Sequence, residues 1–481
     1  VSAEEEVHGS RGHPEDTPLP PPPSRPVPRR PWPRWKIWLL RIGIGAGALL
    51  VVGTVAYLTL RTIARNRLEE ELAELGKGGE TLDVSAHLLP APEDDRNAAP
   101  LLKETFQALV GATVGEEDVL ARLEENPSSV SGEGLRLLAG WVARNATTIE
   151  ALGRAAERPR CDFGLDYSDP FAIPLDHIRH TTGLLDLVTA RCHCLAREGR
   201  GTEALAFWRG QRRLWGMLLE DPLLISHVVV ASIDATLLTV LEELLRRCRP
   251  GPEELSRVLR TLGGVDFTGH LGRAMRVERC IGWSVFQRLL EDPAVAGQAL
   301  NVSAPGSGGI FPAWFSGPLV RLDAAYFLAT MKQLIALTDQ PYHKAREELE
   351  ALRSECEERP WYSIFTALFM PMHVSLLERS AAHRAAVQTA RAGVAVIHHF
   401  RVQGTLPRSL DDLAWEEDWG PVPCDPVTGG PLRFDRGEAG QFRVWSVGLD
   451  GCDDGGRELE DSTDRGGDIV LTFTVREKAG E

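Results

Sequence analysis

Lysine is nearly missing from this chain. Of its 53 basic residues only six are lysine, a bias of the kind a GC-rich genome imposes. Cysteine is sparse as well: eight in 481 residues are too few for a disulfide scaffold and leave room for a few bridges. Positive charge is in deficit, 53 bases against 68 acids for a net −15, which argues against a nucleic-acid binder working through overall charge. No P-loop, dinucleotide fingerprint, nucleophile elbow or HExxH helix occurs, so the enzyme classes those motifs mark are not indicated. Wholesale disorder is excluded, since 43% of residues are hydrophobic and 25% charged.

What is present starts with a tail. Ten prolines fall between Pro14 and Pro33, and with the accompanying arginines they predict a disordered, polyproline-like segment over 1–36. From Ile42 to Leu60 the sequence runs 19 residues without a charge, about 28 Å of helix and enough to cross a bilayer core. Trp32, Trp35, Trp38 and Tyr57 flank or end it as interfacial aromatics do. The run exceeds an ordinary signal core and no small-x-small cleavage site follows, so a single uncleaved membrane span over 37–61 is expected. Arg25, Arg29, Arg30, Arg34, Lys36 and Arg41 precede it, against Arg61, Arg65 and Arg67 behind. That excess places the N-terminus in the cytoplasm and the bulk of the chain outside it.

Residues 62–374 read as an irregular stack of helical hairpins. Apolar periodicity and turn signals predict helices opening at Asn97 and lying at about 134–157, 175–198, 202–219, 222–249, 252–262, 269–291, 318–337 and 341–356. The stretch Ala196–Leu205 resembles the turn of a tetratricopeptide-type hairpin, although no 34-residue period runs along the chain. Several residues look like sites and are assigned to packing. Cys192-His193-Cys194 point apart on a helix and lack a second pair at zinc spacing. Asp176, His177 and His180 lack a third ligand. Trp361, Tyr362, Phe365, Phe369, Met370 and Met372 are expected to form a packing stripe. Asn145-Ala-Thr and Asn301-Val-Ser match glycosylation sequons.

The most specific signal lies in 375–481. A long helix from about Ser375 ends at Gly404 and is followed by GTLPRSLDDL, then by DPVTGGPLRF from Asp425. Alternation over 432–447 and the final run Asp468–Phe473 predict a small antiparallel sheet. Between Ser446 and Asp468 lie eight acids and two bases, Arg457 and Arg465, whose mutual repulsion calls for a cation or solvent. Asp450-Gly451-Cys452-Asp453-Asp454-Gly455 copies part of an EF-hand loop, with Cys452 spoiling its third position.

This order of helix, GTLPRSLDDL, DPVTGGPLRF, FRVWSVGLDGCDDGG and DIV resembles the C-terminal domain of the major pseudopilins of type II secretion. The resemblance covers about 381–473. It implies a long helix on a three-stranded sheet with a calcium-binding loop, and places Asp450, Asp464 and Asp468 among the ligands with backbone carbonyls near Ser446 and Val447. Asp453 and Asp454 complete the expected acidic set for Ca²⁺. The prepilin cleavage motif is missing and the apolar span lies far upstream, so the chain is not expected to polymerise as a pseudopilus subunit. The whole layout resembles a family of bacterial membrane-anchored proteins of undefined function.

The expected class is mainly α: one membrane helix, a helical body over 62–374 and a small α+β head over 375–481. The expected role is a single-pass, extracytoplasmic binding or assembly protein of the bacterial inner membrane, associated with secretion or the envelope. It would have a protein partner, no nucleic acid and no small-molecule substrate. The alternative is an envelope hydrolase or other enzyme, for which His398, His399 and Asp425 are the best candidates. Cys424 and Cys452 fall together in the head, where a disulfide or two free thiols would both be consistent with the sequence.

Overall fold

A computed structural model describes residues 33–125, 130–167, 169, 173–292, 313–438, 440–457 and 467–475. They are mainly helical, with a small three-stranded antiparallel sheet near the C-terminus. The first helix, α1 (Arg34–Lys77), is 44 residues long with a mean hydropathy of 2.0 over its most apolar window, none of which is buried by protein. By length and composition it is long and apolar enough to cross a membrane. The chain divides at Thr59/Leu60 into two units. In the second unit, Leu68 and Leu75 of α1 enter a core, and Glu74 pairs with Lys332.

Helices α2 (Ala99–Ala108), α3 (Val114–Glu125), α4 (Gly132–Arg144) and α5 (Ala146–Ala156) come next. The single helix expected over 134–157 is broken at Asn145, and the reason is chemical. Its side-chain amide donates to the Val110 carbonyl at 3.1 Å while its oxygen accepts from the Val110 N–H at 2.9 Å. A buried Asn that serves the backbone of a neighbouring loop interrupts its own helix. It is also fully buried, so the sequon at 145 presents no accessible amide; Asn301 lies outside the described residues.

The body continues through α6 (Asp176–Arg179), α7 (Thr181–Arg197), α8 (Gly201–Gly216), α9 (Leu224–Cys248), α10 (Pro252–Gly263) and α11 (Phe267–Glu291). In α10, Gly251 and Pro252 open the helix, Glu253 and Glu254 face its positive end, and Leu255, Val258, Leu259 and Leu262 are all buried. Helix α9 also has membrane-like hydropathy, but 56% of that window is buried; it is a core helix of the body. Helices α12 (Ala313–Thr338), α13 (Tyr342–Glu357) and α14 (Ile364–Gln403) complete the set among the described residues.

Helix α14 organises the C-terminal third. It starts at Ile364 because Asp323 of α12, buried, accepts from the Phe365 and Thr366 N–H groups at 2.7 and 3.2 Å. Those are donors that a helix start leaves unpaired. Burial pushes the Asp323 carboxyl up to about 6 against the pull of these hydrogen bonds. The first half of α14 joins a core with α11, α12 and α13, and its second half joins a core with α8, α9, α10 and the sheet. Of the expected aromatic and methionine stripe, Phe365 and Met370 are buried, while Trp361 is 70%, Phe369 45% and Met372 58% exposed. The stripe is split because only one side of the helix start meets a core.

Strands β1 (Arg433–Arg436), β2 (Gln441–Ser446) and β3 (Ile469–Thr474) pair in that order, antiparallel throughout. Strand alternation places Phe442, Val444, Leu471 and Phe473 on the face turned to α14. Gly393 makes this approach possible: a Cβ there would lie 2.0 Å from Leu471 Cδ2. Arg433, Arg443 and Trp445 alternate onto the opposite face.

Candidate functional site

The acidic loop lies over that outer face and is tied down by the chain's own polar groups. Asp425, from the DPVTGG segment, is 1% exposed. Its Oδ1 accepts from the Val427 N–H at 2.8 Å and the Ser446 hydroxyl at 2.9 Å, and its Oδ2 from the Val447 N–H at 3.1 Å. One buried carboxylate thus pins the DPVTGG turn to the end of β2, which makes it a structural hub with its acceptors in use. His398, a second enzyme candidate, stacks edge-on against Trp419 at 4.9 Å with Ser256 Oγ 3.4 Å from its Nε2. Asp425 and His398 have separate partners, and no contact joins them with His399 into a constellation.

Asp468, 4% exposed, accepts from the N–H groups of Gly456 at 2.7 Å, Arg457 at 3.3 Å and Asp454 at 3.4 Å. Burial pushes its carboxyl above the ordinary value even so, and the nearby Asp453 adds to the rise. Asp453 accepts from Trp445 Nε1 at 3.0 Å and Arg433 Nε at 2.9 Å, which hold its carboxyl below the usual value. Asp450 Oδ1 accepts from the Cys452 N–H at 2.9 Å. Asp454 is exposed, and its carboxylate takes no donor among the described residues. Asp464 lies outside the described residues. Among them, no three His, Cys, Asp or Glu side chains are grouped to hold one ion.

The loop's positive partners come from elsewhere in the chain. Arg346 of α13 donates to the Asp450 carbonyl at 2.6 Å. It lies so close to the next residue that a Cβ at Gly451 would be 2.3 Å from its Nη1. Arg443 donates to the carbonyls of Gly455 and Gly456 at 3.2 and 3.3 Å. Around the Arg346 contact is a cavity of about 640 Å³, lined by Tyr342, His343, Glu347 and Glu350 of α13 and by Val427 and Leu449. Cys424 and Cys452 are both free and exposed. Arg346, Arg433 and Arg443 all lie outside the acidic segment; the sequence signal for Arg433 and Arg443 is their strand alternation with Phe434, Phe442 and Val444.

A second concave feature, a groove of about 900 Å³, is lined by Arg158, Arg209, Arg213 and Arg260. It lies where α5, α8 and α10 end, and arginine there has a structural explanation. Arg213 donates to the last carbonyl of α5, that of Ala156. Arg209 pairs with Glu254, and Arg260 with Asp418 at 2.8 Å. C-terminal helix ends carry partial negative charge and unpaired carbonyls, which Arg213 answers at α5, while Arg209 and Arg260 are held in ion pairs with acids. Behind the groove, buried Arg212 bonds Asp234 at 2.7 Å, and His383 lies 3.1 Å from the same carboxylate. Burial alone would raise the Asp234 carboxyl, but Arg212 and His383 outweigh it and hold it low.

The remaining residues resembling sites are core. His193 is buried between Cys192 and Cys194, and burial pushes its imidazole down to about 4. His177 is buried 3.3 Å from Asp221 and stacks on Phe163. Compared with known proteins, the chain matches no family model, no curated protein and no solved structure.

Proposed function

We propose that this chain is a single-pass, membrane-anchored binding or assembly protein of the bacterial envelope, with its N-terminus in the cytoplasm and a pseudopilin-like head outside. The observation that carries the reading is α1, whose most apolar window has a mean hydropathy of 2.0 with no residue buried. An apolar helix that protein leaves uncovered is stable in hydrocarbon, where its backbone groups are already paired. The assembly half is supported by the head, a long helix packed on a three-stranded antiparallel meander, and by the resemblance of its motifs to secretion pseudopilins. Asp425 is occupied as a structural acceptor, so a catalytic role is not assigned to it.

Cys424 and Cys452 provide the test because their thiols are exposed. A membrane-impermeant maleimide should label both in intact spheroplasts; labelling only after lysis would reverse the orientation. Secretion-system components should co-purify with the full chain from membranes, and recovery of the chain alone would count against the assembly role.

A further inference from the structure

We propose that the acidic loop 448–457 is held by guanidinium groups in place of a metal ion, and that Arg346 makes its order depend on the helical body. The inference stands whether or not the membrane reading does. Calcium asks for about six to eight oxygen ligands around one point. Here the carboxylates of Asp450, Asp453 and Asp468 and the carbonyls of Asp450, Gly455 and Gly456 take protein donors, which leaves the exposed Asp454 carboxylate as the one loop acid with no donor among the described residues. Asp453 takes Arg433 and Trp445 through its two carboxylate oxygens, with the Gly455 N–H at 3.1 Å as a third donor. Asp468 takes three consecutive-region N–H groups, of Asp454, Gly456 and Arg457. Asp450 turns its side chain to the Cys452 N–H and its carbonyl to Arg346. The Gly455 and Gly456 carbonyls face Arg443. A metal ion gathering these oxygens would have to displace both the backbone donors and the arginines.

The geometry of the arginine fork explains why three suffice. A planar guanidinium offers five N–H donors: Arg443 sets Nη1 between the Gly455 and Gly456 carbonyls and Nη2 on Asp435 at 2.8 Å. Two of the three stand on the sheet's outer face, so the sheet supplies them to its own loop. Arg346 is different. It projects from α13, in the part of the chain expected to form the body, and meets Gly451, where the absence of a side chain leaves room for it. Loop order in the head therefore depends on a residue that the head's own segment does not contain.

The test uses the full chain in detergent micelles and reads hydrogen exchange over 448–457. Adding millimolar calcium or a chelator to the parent protein should leave that exchange unchanged. Arg346→Met should raise it by about tenfold or more, the size of one lost charge-assisted hydrogen bond. Arg433→Met should raise it as well, while Arg457→Met, whose backbone alone contacts Asp468, should not. Arg346 is only half-buried, so its replacement should leave exchange elsewhere at the parent level. Protection of the loop by calcium in the parent would overturn the proposal in favour of a metal site. Unchanged loop exchange in both Arg346→Met and Arg433→Met would overturn it as well.

Discussion

Asp425→Ala should open the head locally without touching any exposed surface. The carboxylate serves three donors at 2.8, 2.9 and 3.1 Å and is 1% exposed. Removing it leaves the N–H groups of Val427 and Val447 buried with no acceptor. The Ser446 hydroxyl can rotate toward another partner; the two backbone groups cannot. Each unpaired buried donor costs about 1–3 kcal/mol, and the lost hydroxyl bond adds about 1 kcal/mol, so the sum is ~3–7 kcal/mol. Asp425→Asn keeps one oxygen and turns an NH₂ toward a backbone donor, which costs about 1–3 kcal/mol. The assay is hydrogen exchange of the Val427 and Val447 amides in the full chain. It should accelerate by ~10²–10⁵ in the alanine variant and by about tenfold to a hundredfold in the asparagine variant. If the alanine variant exchanges within about threefold of the parent, the carboxylate is not the hub described here and the DPVTGG turn is held by something else.

Gly393→Ala places a Cβ 2.0 Å from Leu471 Cδ2 and should cost ~1–3 kcal/mol by overpacking; chemical denaturation should show the loss, and Leu471→Ala in the same chain should restore part of it. Burial pushes His193 and His227 down to about 4. Each is neutral when folded and binds a proton when unfolded, so its contribution is intact above ~6.5 and is lost as pH falls toward 4, about 3 kcal/mol at most. His193→Leu should therefore flatten the fall in stability between those values relative to the parent, and an unchanged pH profile would show that His193 is not the buried neutral group inferred. Leu50→Arg with Val52→Arg places two charges in the apolar run of α1, at about 2.5–3.5 kcal/mol each; the protein should move to the alkaline-extractable fraction, and retention in the membrane pellet would count against this helix as the span.

Where neighbours in sequence decide the structure, the sequence was legible. Pro252, Glu253 and Glu254 mark the start of α10, and α14 ends at Gly404 in a left-handed cap. Alternation over 432–447 foretold β1 and β2 because Phe442 and Val444 must face one way and Arg443 and Trp445 the other. Where a distant residue decides, legibility fails. The start of α14 depends on Asp323, some forty positions earlier, and the break at Asn145 depends on Val110. Helix α3 was not expected, although Val119, Leu120 and Leu123 lie at helical spacing and are all buried in one core; its acids masked a stripe only one turn long. In the candidate site the acids were visible as a run, whereas the bases that answer them were not: Arg346 lies about a hundred positions upstream.

The scarcity of lysine acquires a physical consequence in this setting. Arg391, 3% exposed, donates to the carbonyls of buried Trp419 at 2.8 Å and exposed Pro421 at 2.6 Å and to half-buried Gln388 at 2.8 Å. Arg273 reaches the Leu219 carbonyl at 2.6 Å and lies 2.7 Å from His270 Nδ1. Arg212 spans a carboxylate and the Thr261 carbonyl, and Arg443 holds two glycine carbonyls. A lysine offers one nitrogen at the end of a flexible stem and could not meet both oxygens of Asp234 and the Thr261 carbonyl through separate nitrogens as Arg212 does. Compositional drift toward arginine, whatever its origin, gives an irregular helical fold a means of pairing the carbonyls at its helix ends and loops without extra secondary structure. The acidic loop uses the same device: its oxygens are met by guanidinium groups drawn from a strand face and from a helix.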